Sequence, residues 1–257
     1  MRLRVLIKRA PDGKITLQET AKIAIVTINR PAKRNALTTT MWKKLRAIGE
    51  EIASNEKIKV VIMRGIPGSF TAGSDIGEFA EMSLEEVNEA FELMEKTISI
   101  FEDLSVPVIG AIDGPALGAG FVLSLACDIR VGTPRTAMGM PVSKLGITLS
   151  PSFVHRISRM IGPSRTKELI MTNDIYNYRK AYKTGLLNRL TSSSELTKSV
   201  LSLSNYLRLQ SRASMKAVKQ SLRLTDWSDQ HPWNYVDAVD FREGCRAFLE
   251  KRAPRFN

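Results

Sequence analysis

Cysteine and histidine are nearly missing from this chain, with two of each in 257 residues. Cys127 and Cys245 cannot build a disulfide framework, and no Cys/His cluster has metal-ligand spacing, so no metal is expected. A chain so poor in cysteine fits a reducing compartment, the cytoplasm by default and the mitochondrial matrix if the source is eukaryotic. No run of about 18 apolar residues is present, which argues against a membrane span. Met1–Ala10 lacks the apolar centre and small-residue cleavage site of a signal peptide. Arg2, Arg4, Lys8 and Arg9 without an acid leave room for a transit peptide, but the alternation of basic and apolar residues predicts a strand. Acids are the minority charge, 26 against 38 Lys and Arg, giving a formal +12. Such a balance can serve nucleic acid, an anionic membrane or a polyanionic small molecule. The basic residues are dispersed, with modest clusters at Lys33–Arg34, Lys43–Lys44 and Lys251–Arg252 and no run of five or more. That pattern reads as a solvated surface and disfavours a nucleic-acid partner.

What is present is a foldable core: 43% of residues are hydrophobic, enough at this length for one large domain or a core with a helical appendage. Lys22–Asn29 alternates and is rich in β-branched residues, so it predicts a strand stopped by Arg30-Pro31. Thr38 is placed to cap a helix with Met41, Leu45, Ile48 and Ile52 on its apolar face. Lys59–Met63 and Val106–Ile112 predict buried strands, and Ile129–Gly132 a further one. Ser83 and Glu86 form a capping box ahead of a helix striped by Leu84, Val87, Phe91, Met94, Ile98 and Phe101. Past Ser152 strand signals vanish, and helices are expected through to one spanning roughly Trp233–Lys251 with Val236, Val239, Phe248 and Leu249 at apolar positions. Strand-then-helix units followed by helices alone make an α/β fold with an all-helical end.

Two glycine-rich turns stand out, each expected between a strand and a helix. The first is Phe70-Thr71-Ala72-Gly73-Ser74-Asp75-Ile76 and the second runs from Asp113 to Gly120. Small residues let backbone N–H groups approach a ligand, and a helix start adds unpaired donors. Such donors can hold a carbonyl oxygen as it becomes an oxyanion, worth roughly 3–4 kcal/mol per donor in known cases. Either turn alone would read as simple chain reversal.

Together with their surroundings these turns resemble the enoyl-CoA hydratase/isomerase (crotonase) family. Arg30–Leu37 is similar to its "RP…RNAL" stretch, Phe70–Ile76 to its "F-x-A-G-x-D" loop and Gly114–Asp128 to its "G-x-A-x-G-G-G…CD" turn and helix. Pro163–Asn188 and Asp240–Arg252 resemble the family's later signatures, so the likeness runs over roughly residues 22–257. The resemblance implies a spiral of strand-strand-helix units over residues 1–190 that binds an acyl-CoA thioester, and a C-terminal helical segment over 191–257 that assembles a homotrimer or hexamer. It implies an oxyanion hole from the backbone amides of Ser74 and Ala119. Lys33, Arg34, Ala36, Ala72 and Ile76 would then lie beside the coenzyme, with Lys251 reaching the coenzyme of its own or a neighbouring subunit. Coenzyme A would come as part of the substrate, with no permanently bound cofactor.

The departures from that pattern concern the acids. The family's hydratases carry two glutamates, because hydration needs a base and an acid around one water. Here those positions are Val122 and Val142, and a third position used by other members is Ser150; all three are expected to line the acyl pocket. A lyase or isomerase acting through an enolate therefore suits the sequence better than standard hydration. Glu78 and Glu81 near the pocket mouth read as a solvated helix face, and His155 as a packing or capping residue. A binding or scaffolding protein without catalysis, or an RNA-binding homologue, are the competing expectations.

Overall fold

A computed structural model describes residues 6–9, 14–222 and 235–256 of the chain. The N-terminal strand β1 (Leu6–Arg9) pairs antiparallel with β2 (Ile15–Thr20), which pairs antiparallel with β3 (Ile23–Ile28). The rest of Met1–Ala10 lies outside the described residues. Helix α1 (Thr39–Ser54) follows, and Thr38 caps it by accepting the Met41 N–H. Its buried face carries Met41, Leu45, Ile48 and Ile52, as the spacing predicts, together with Trp42.

Next come β4 (Val60–Arg64), the short α2 (Ile76–Phe79) and the long α3 (Leu84–Asp103). The expected capping box of Ser83 and Glu86 is formed in both directions. The stripe is only partly right. Leu84 is 85% exposed in the first turn, while Ala90, Met94, Thr97, Ile98 and Phe101 are buried. A first turn that only begins to approach the core has nothing to cover its apolar side chain.

Strand β5 (Val108–Ile112) leads to β6 (Pro115–Leu117), α4 (Ala119–Leu125), β7 (Ile129–Gly132) and β8 (Ala137–Gly139). The second glycine-rich turn thus contains a strand, a correction to the turn-only expectation. Helix α5 (Pro151–Thr172) is broken at Gly162, whose φ of 79° and ψ of 161° are not helical. Then come β9 (Ile175–Asn177), α6 (Tyr178–Lys183), β10 (Arg189–Leu190), α7 (Leu196–Leu207), α8 (Arg212–Ser221) and α9 (Ala238–Leu249).

Strands β9 and β10 correct the expectation that strands end near Ser152. They are three and two residues long, too short for any periodicity, and exist because β8 and β7 offer them paired edges. One sheet has the order β1-β2-β3-β4-β5-β7-β10, parallel from β3 onward, and a smaller one has the order β6-β8-β9. The fully buried run of β5 reads as expected for a central parallel strand. The main core lies between the large sheet, α1, α3, α4 and α5. On the opposite face, Leu196, Val200 and Leu203 of α7 pack on Ile23, Val60, Ile62, Ile109 and Val131.

The C-terminal helices behave differently. In α8 no residue is buried, and in α9 only Ala247 is. The expected apolar positions Val236, Val239, Phe248 and Leu249 are all exposed within the single chain, and Trp233 and Asn234 lie outside the described residues. Among the described residues no helix is long and apolar enough to cross a membrane.

Candidate functional site

The two glycine-rich segments meet. Thr71 N–H donates to Pro115 O at 3.0 Å and Leu117 N–H donates to Thr71 O at 3.1 Å, a short parallel ladder between them. Glycine makes this approach feasible: with φ of 95°, a Cβ on Gly73 would stand 2.6 Å from Leu117 O and 3.3 Å from Ala119 N. A Cβ on Gly120 would likewise stand 2.8 Å from Thr71 O.

This ladder leaves two amides over. Leu37 N–H donates to Gly73 O and Asp75 N–H donates to Leu37 O, at 2.8 and 2.9 Å. Both neighbours of Ser74 are thus bonded to Leu37, and the alternation of an extended strand turns the Ser74 N–H the other way. Ala119 opens α4, where first-turn N–H groups have no intrahelical acceptor. Among the described residues neither amide has an acceptor. Backbone donors without a partner can hold an oxygen that gains negative charge.

The stretch Arg30–Leu37 supports the first loop. Asn35 is fully buried with φ of 58°, and its side-chain amide donates to Ser69 O at 2.8 Å, Phe70 O at 3.0 Å and Ile28 O at 3.2 Å. Its carbonyl accepts from Thr71 Oγ1 at 2.7 Å, and Arg34 O accepts from Ala72 N–H at 3.1 Å. The Arg30 guanidinium reaches Ala36 O at 3.0 Å and the Asp75 carboxylate at 2.6 Å. The Arg30 hydrogen bond holds the Asp75 carboxyl below its ordinary pKa against partial burial. The Ser74 side chain is spoken for: Oγ accepts from Trp42 Nε1 at 3.3 Å and donates to Met94 Sδ at 2.8 Å.

Lys33 and Arg34 are exposed, Ala36 and Ala72 half-buried and Ile76 exposed, all gathered around the first loop. Lys251 lies beyond α9 with φ of 52°; among the described residues no hydrogen bond or ion pair links it to that loop. Val122 has no exposed surface and Val142 is 6% exposed, both within the apolar core. Ser150 caps α5 by accepting the Phe153 N–H. Glu78 does not sit on a solvated face: it accepts the Thr39 N–H at 2.8 Å, while Glu81 is exposed. His155 is exposed on α5 rather than capping or packing. Among the described residues, no group of three or more His, Cys, Asp or Glu could hold a metal.

Sequence reasoning missed Glu95. Its Oε2 lies 3.4 Å from Ser150 Oγ, and its Oε1 accepts from Arg156 at 2.6 Å. Arg156, 8% exposed, also donates to Glu102 at 2.8 Å and Ser99 at 2.9 Å. Glu95 and Glu102 are seven residues apart, two turns along one face of α3, a spacing that could have flagged the pair.

The sequence profile of enoyl-CoA hydratase/isomerase matches residues 18–257. A short-chain-enoyl-CoA hydratase of Clostridium acetobutylicum is 34% identical over 250 residues, covering 93% of this chain and 96% of that protein. The chain belongs to the enoyl-CoA hydratase/isomerase family. The mouse mitochondrial methylglutaconyl-CoA hydratase is 31% identical, covering 93% of this chain and 81% of its own. Among solved structures, an enoyl-CoA hydratase/carnitine racemase of Magnetospirillum magneticum superposes with a TM-score of 0.91 at 28% identity. That match covers 98% of this chain and 97% of the other. It bears out the crotonase-like fold, strand-helix units followed by C-terminal helices.

Proposed function

We propose that this family member binds an acyl-CoA thioester and stabilises its enolate through the Ser74 and Ala119 amides. The observation that carries this reading is the pair of amides left without acceptors where the two glycine-rich loops join. A thioester carbonyl set between them would gain charge on oxygen only as the enolate forms, so the donors would favour the transition state over the bound substrate. Lys33, Arg34, Ala36, Ala72 and Ile76 ring the first loop, where the adenine and phosphates of the coenzyme would lie.

The reaction we favour is isomerisation or decarboxylation rather than hydration. Val122 and Val142 supply no carboxylate to position and activate a water. Those same valines support a second reading, an acyl-CoA-binding member without turnover. Lys251 is proposed to act across a subunit boundary, in a trimer or hexamer built on α9. Calorimetry with butyryl-CoA, followed by product analysis on enoyl-, 3-hydroxyacyl- and malonyl-type thioesters, tests the proposal. Micromolar binding with conversion of an enoyl or malonyl thioester is expected. Absence of any acyl-CoA binding would overturn it, and binding without conversion of any thioester would leave the second reading.

A further inference from the structure

A cation without a counter-ion lines a cavity on the α7 face of the large sheet. The register pairs Thr27 of β3 with Arg64 of β4, and Arg64 with Ala111 of β5. Side chains alternate along a strand, so Thr27, Ile62, Arg64 and Ala111 turn to one face, toward α7. There, with Val200 and Leu201 of α7, they line a cavity of about 290 Å³. That is at the small end of the roughly 300–1,000 Å³ typical of ligand pockets.

Arg64 is half-buried, and its Nε donates to Thr27 Oγ1 at 3.1 Å. Among the described residues its two terminal nitrogens have no hydrogen-bond partner, and no carboxylate pairs with it. Burial pulls its pKa below the ordinary arginine value, with no acid opposing the shift. Arginine nonetheless stays protonated in proteins, so the cavity wall keeps a positive charge that burial penalises. The acid on the same wall is committed elsewhere. Asp113 accepts from Arg135 at 3.0 and 2.6 Å, from the Gly68 N–H at 2.9 Å, from Thr133 at 2.8 Å and from Ser193 at 3.2 Å. Arg135 cancels the Asp113 charge, which leaves that of Arg64 unbalanced.

These features define a ligand. A single unbalanced positive charge calls for a monoanion. A planar guanidinium with both terminal nitrogens free matches the two oxygens of a carboxylate. Walls of Ile62, Ala111, Val200 and Leu201 favour an apolar tail and disfavour a strongly hydrated phosphate. We infer that this cavity binds a short-chain fatty acid, with its carboxylate on Arg64 and its tail along α7. Such a ligand would cover apolar wall and give the lone cation its partner in one step. The site goes beyond the function proposed above and does not depend on it, because neither the Ser74 nor the Ala119 amide lines this cavity.

The test uses the full chain in calorimetry at neutral pH, with hexanoate, 1-hexanol and inorganic phosphate as probes, and the variants Arg64→Gln and Arg64→Lys. The wild type should bind hexanoate with a dissociation constant below about 1 mM, and 1-hexanol at least about tenfold more weakly. Phosphate should give no binding heat at concentrations that saturate with hexanoate. Arg64→Gln should weaken hexanoate binding by about tenfold or more, and Arg64→Lys should retain part of it, since a point charge replaces the fork. Hexanoate should also raise the unfolding temperature of the wild type and leave that of Arg64→Gln unmoved. No hexanoate binding by the wild type, equal affinity for 1-hexanol, or tighter binding of phosphate would overturn the assignment. Hexanoate binding retained in Arg64→Gln would overturn it as well, by placing the acid elsewhere on the chain.

Discussion

The Arg30 guanidinium lies 2.6 Å from the Asp75 carboxylate and also holds Ala36 O, so one cation closes the support of the first glycine-rich loop. Both side chains are mostly covered, 19% and 15% exposed. Removing one partner leaves the other charge partly buried. Asp75→Ala is expected to cost about 2 kcal/mol in chemical denaturation.

This pair also sets a pH dependence. The Arg30 hydrogen bond lowers the Asp75 pKa in the folded state, so the unfolded chain takes up the proton first as pH falls. The stabilisation is present above the ordinary aspartate value of about 4 and is lost as pH drops through the lower folded value. Denaturation midpoints of the wild type and Asp75→Asn should therefore converge on acidification below about pH 4. A constant gap down to the folded pKa would count against the ion pair.

Gly73 carries a sharper expectation for binding. At φ of 95° any side chain is strained, and a Cβ would stand 2.6 Å from Leu117 O. Gly73→Ala should push the loops apart, weakening acyl-CoA binding by roughly tenfold or more, about 1.4 kcal/mol. Calorimetry on the folded variant checks it; unchanged affinity would mean the loop junction does not hold the ligand.

Asn35 is expected to act on stability. Its buried amide satisfies carbonyls of Ile28, Ser69 and Phe70, and truncation strands them away from water. Asn35→Ala should lower unfolding free energy by about 2–4 kcal/mol. A loss under about 0.5 kcal/mol would show that those carbonyls find other donors.

The residues just named show what a sequence can convey. The helix of Met41, Leu45, Ile48 and Ile52 and the capping box at Ser83 are local, governed by neighbours within a turn, and both were legible. Glycine spacing located the two loops, because backbone proximity demands glycine at Gly73 and Gly120 whatever surrounds them. The partnership of Glu95 with Ser150 and Arg156 was hidden. It joins residues 55 and 61 positions apart, and each alone looks like an ordinary polar surface residue. Strands β9 and β10 were hidden for a related reason: they are specified by the edges they meet rather than by their own few residues. Phe248 and Leu249 mark the opposite case, where apolar spacing predicts burial but both side chains are exposed in the single chain.

That exposed stripe leads to the last expectation. Phe241, Phe248 and Leu249 are 53%, 84% and 80% exposed and share one side of α9. A helix presenting such a face to water is more stable against an apolar surface, at roughly 25 cal/mol per Å² removed from solvent. The internal ties of this segment are polar: Arg252 pairs with Glu243 at 2.6 Å, and Arg252 together with the Arg255 amide pulls the Glu243 carboxyl down to about 2. Those contacts hold the chain end in place without covering the stripe. Light scattering should therefore show a trimer or hexamer, and Phe248→Asp should shift it toward monomer by placing a charge in the contact. A wild-type monomer, or an unchanged assembly in Phe248→Asp, would exclude α9 as the assembling face, and with it the route by which Lys251 could reach a neighbour's coenzyme.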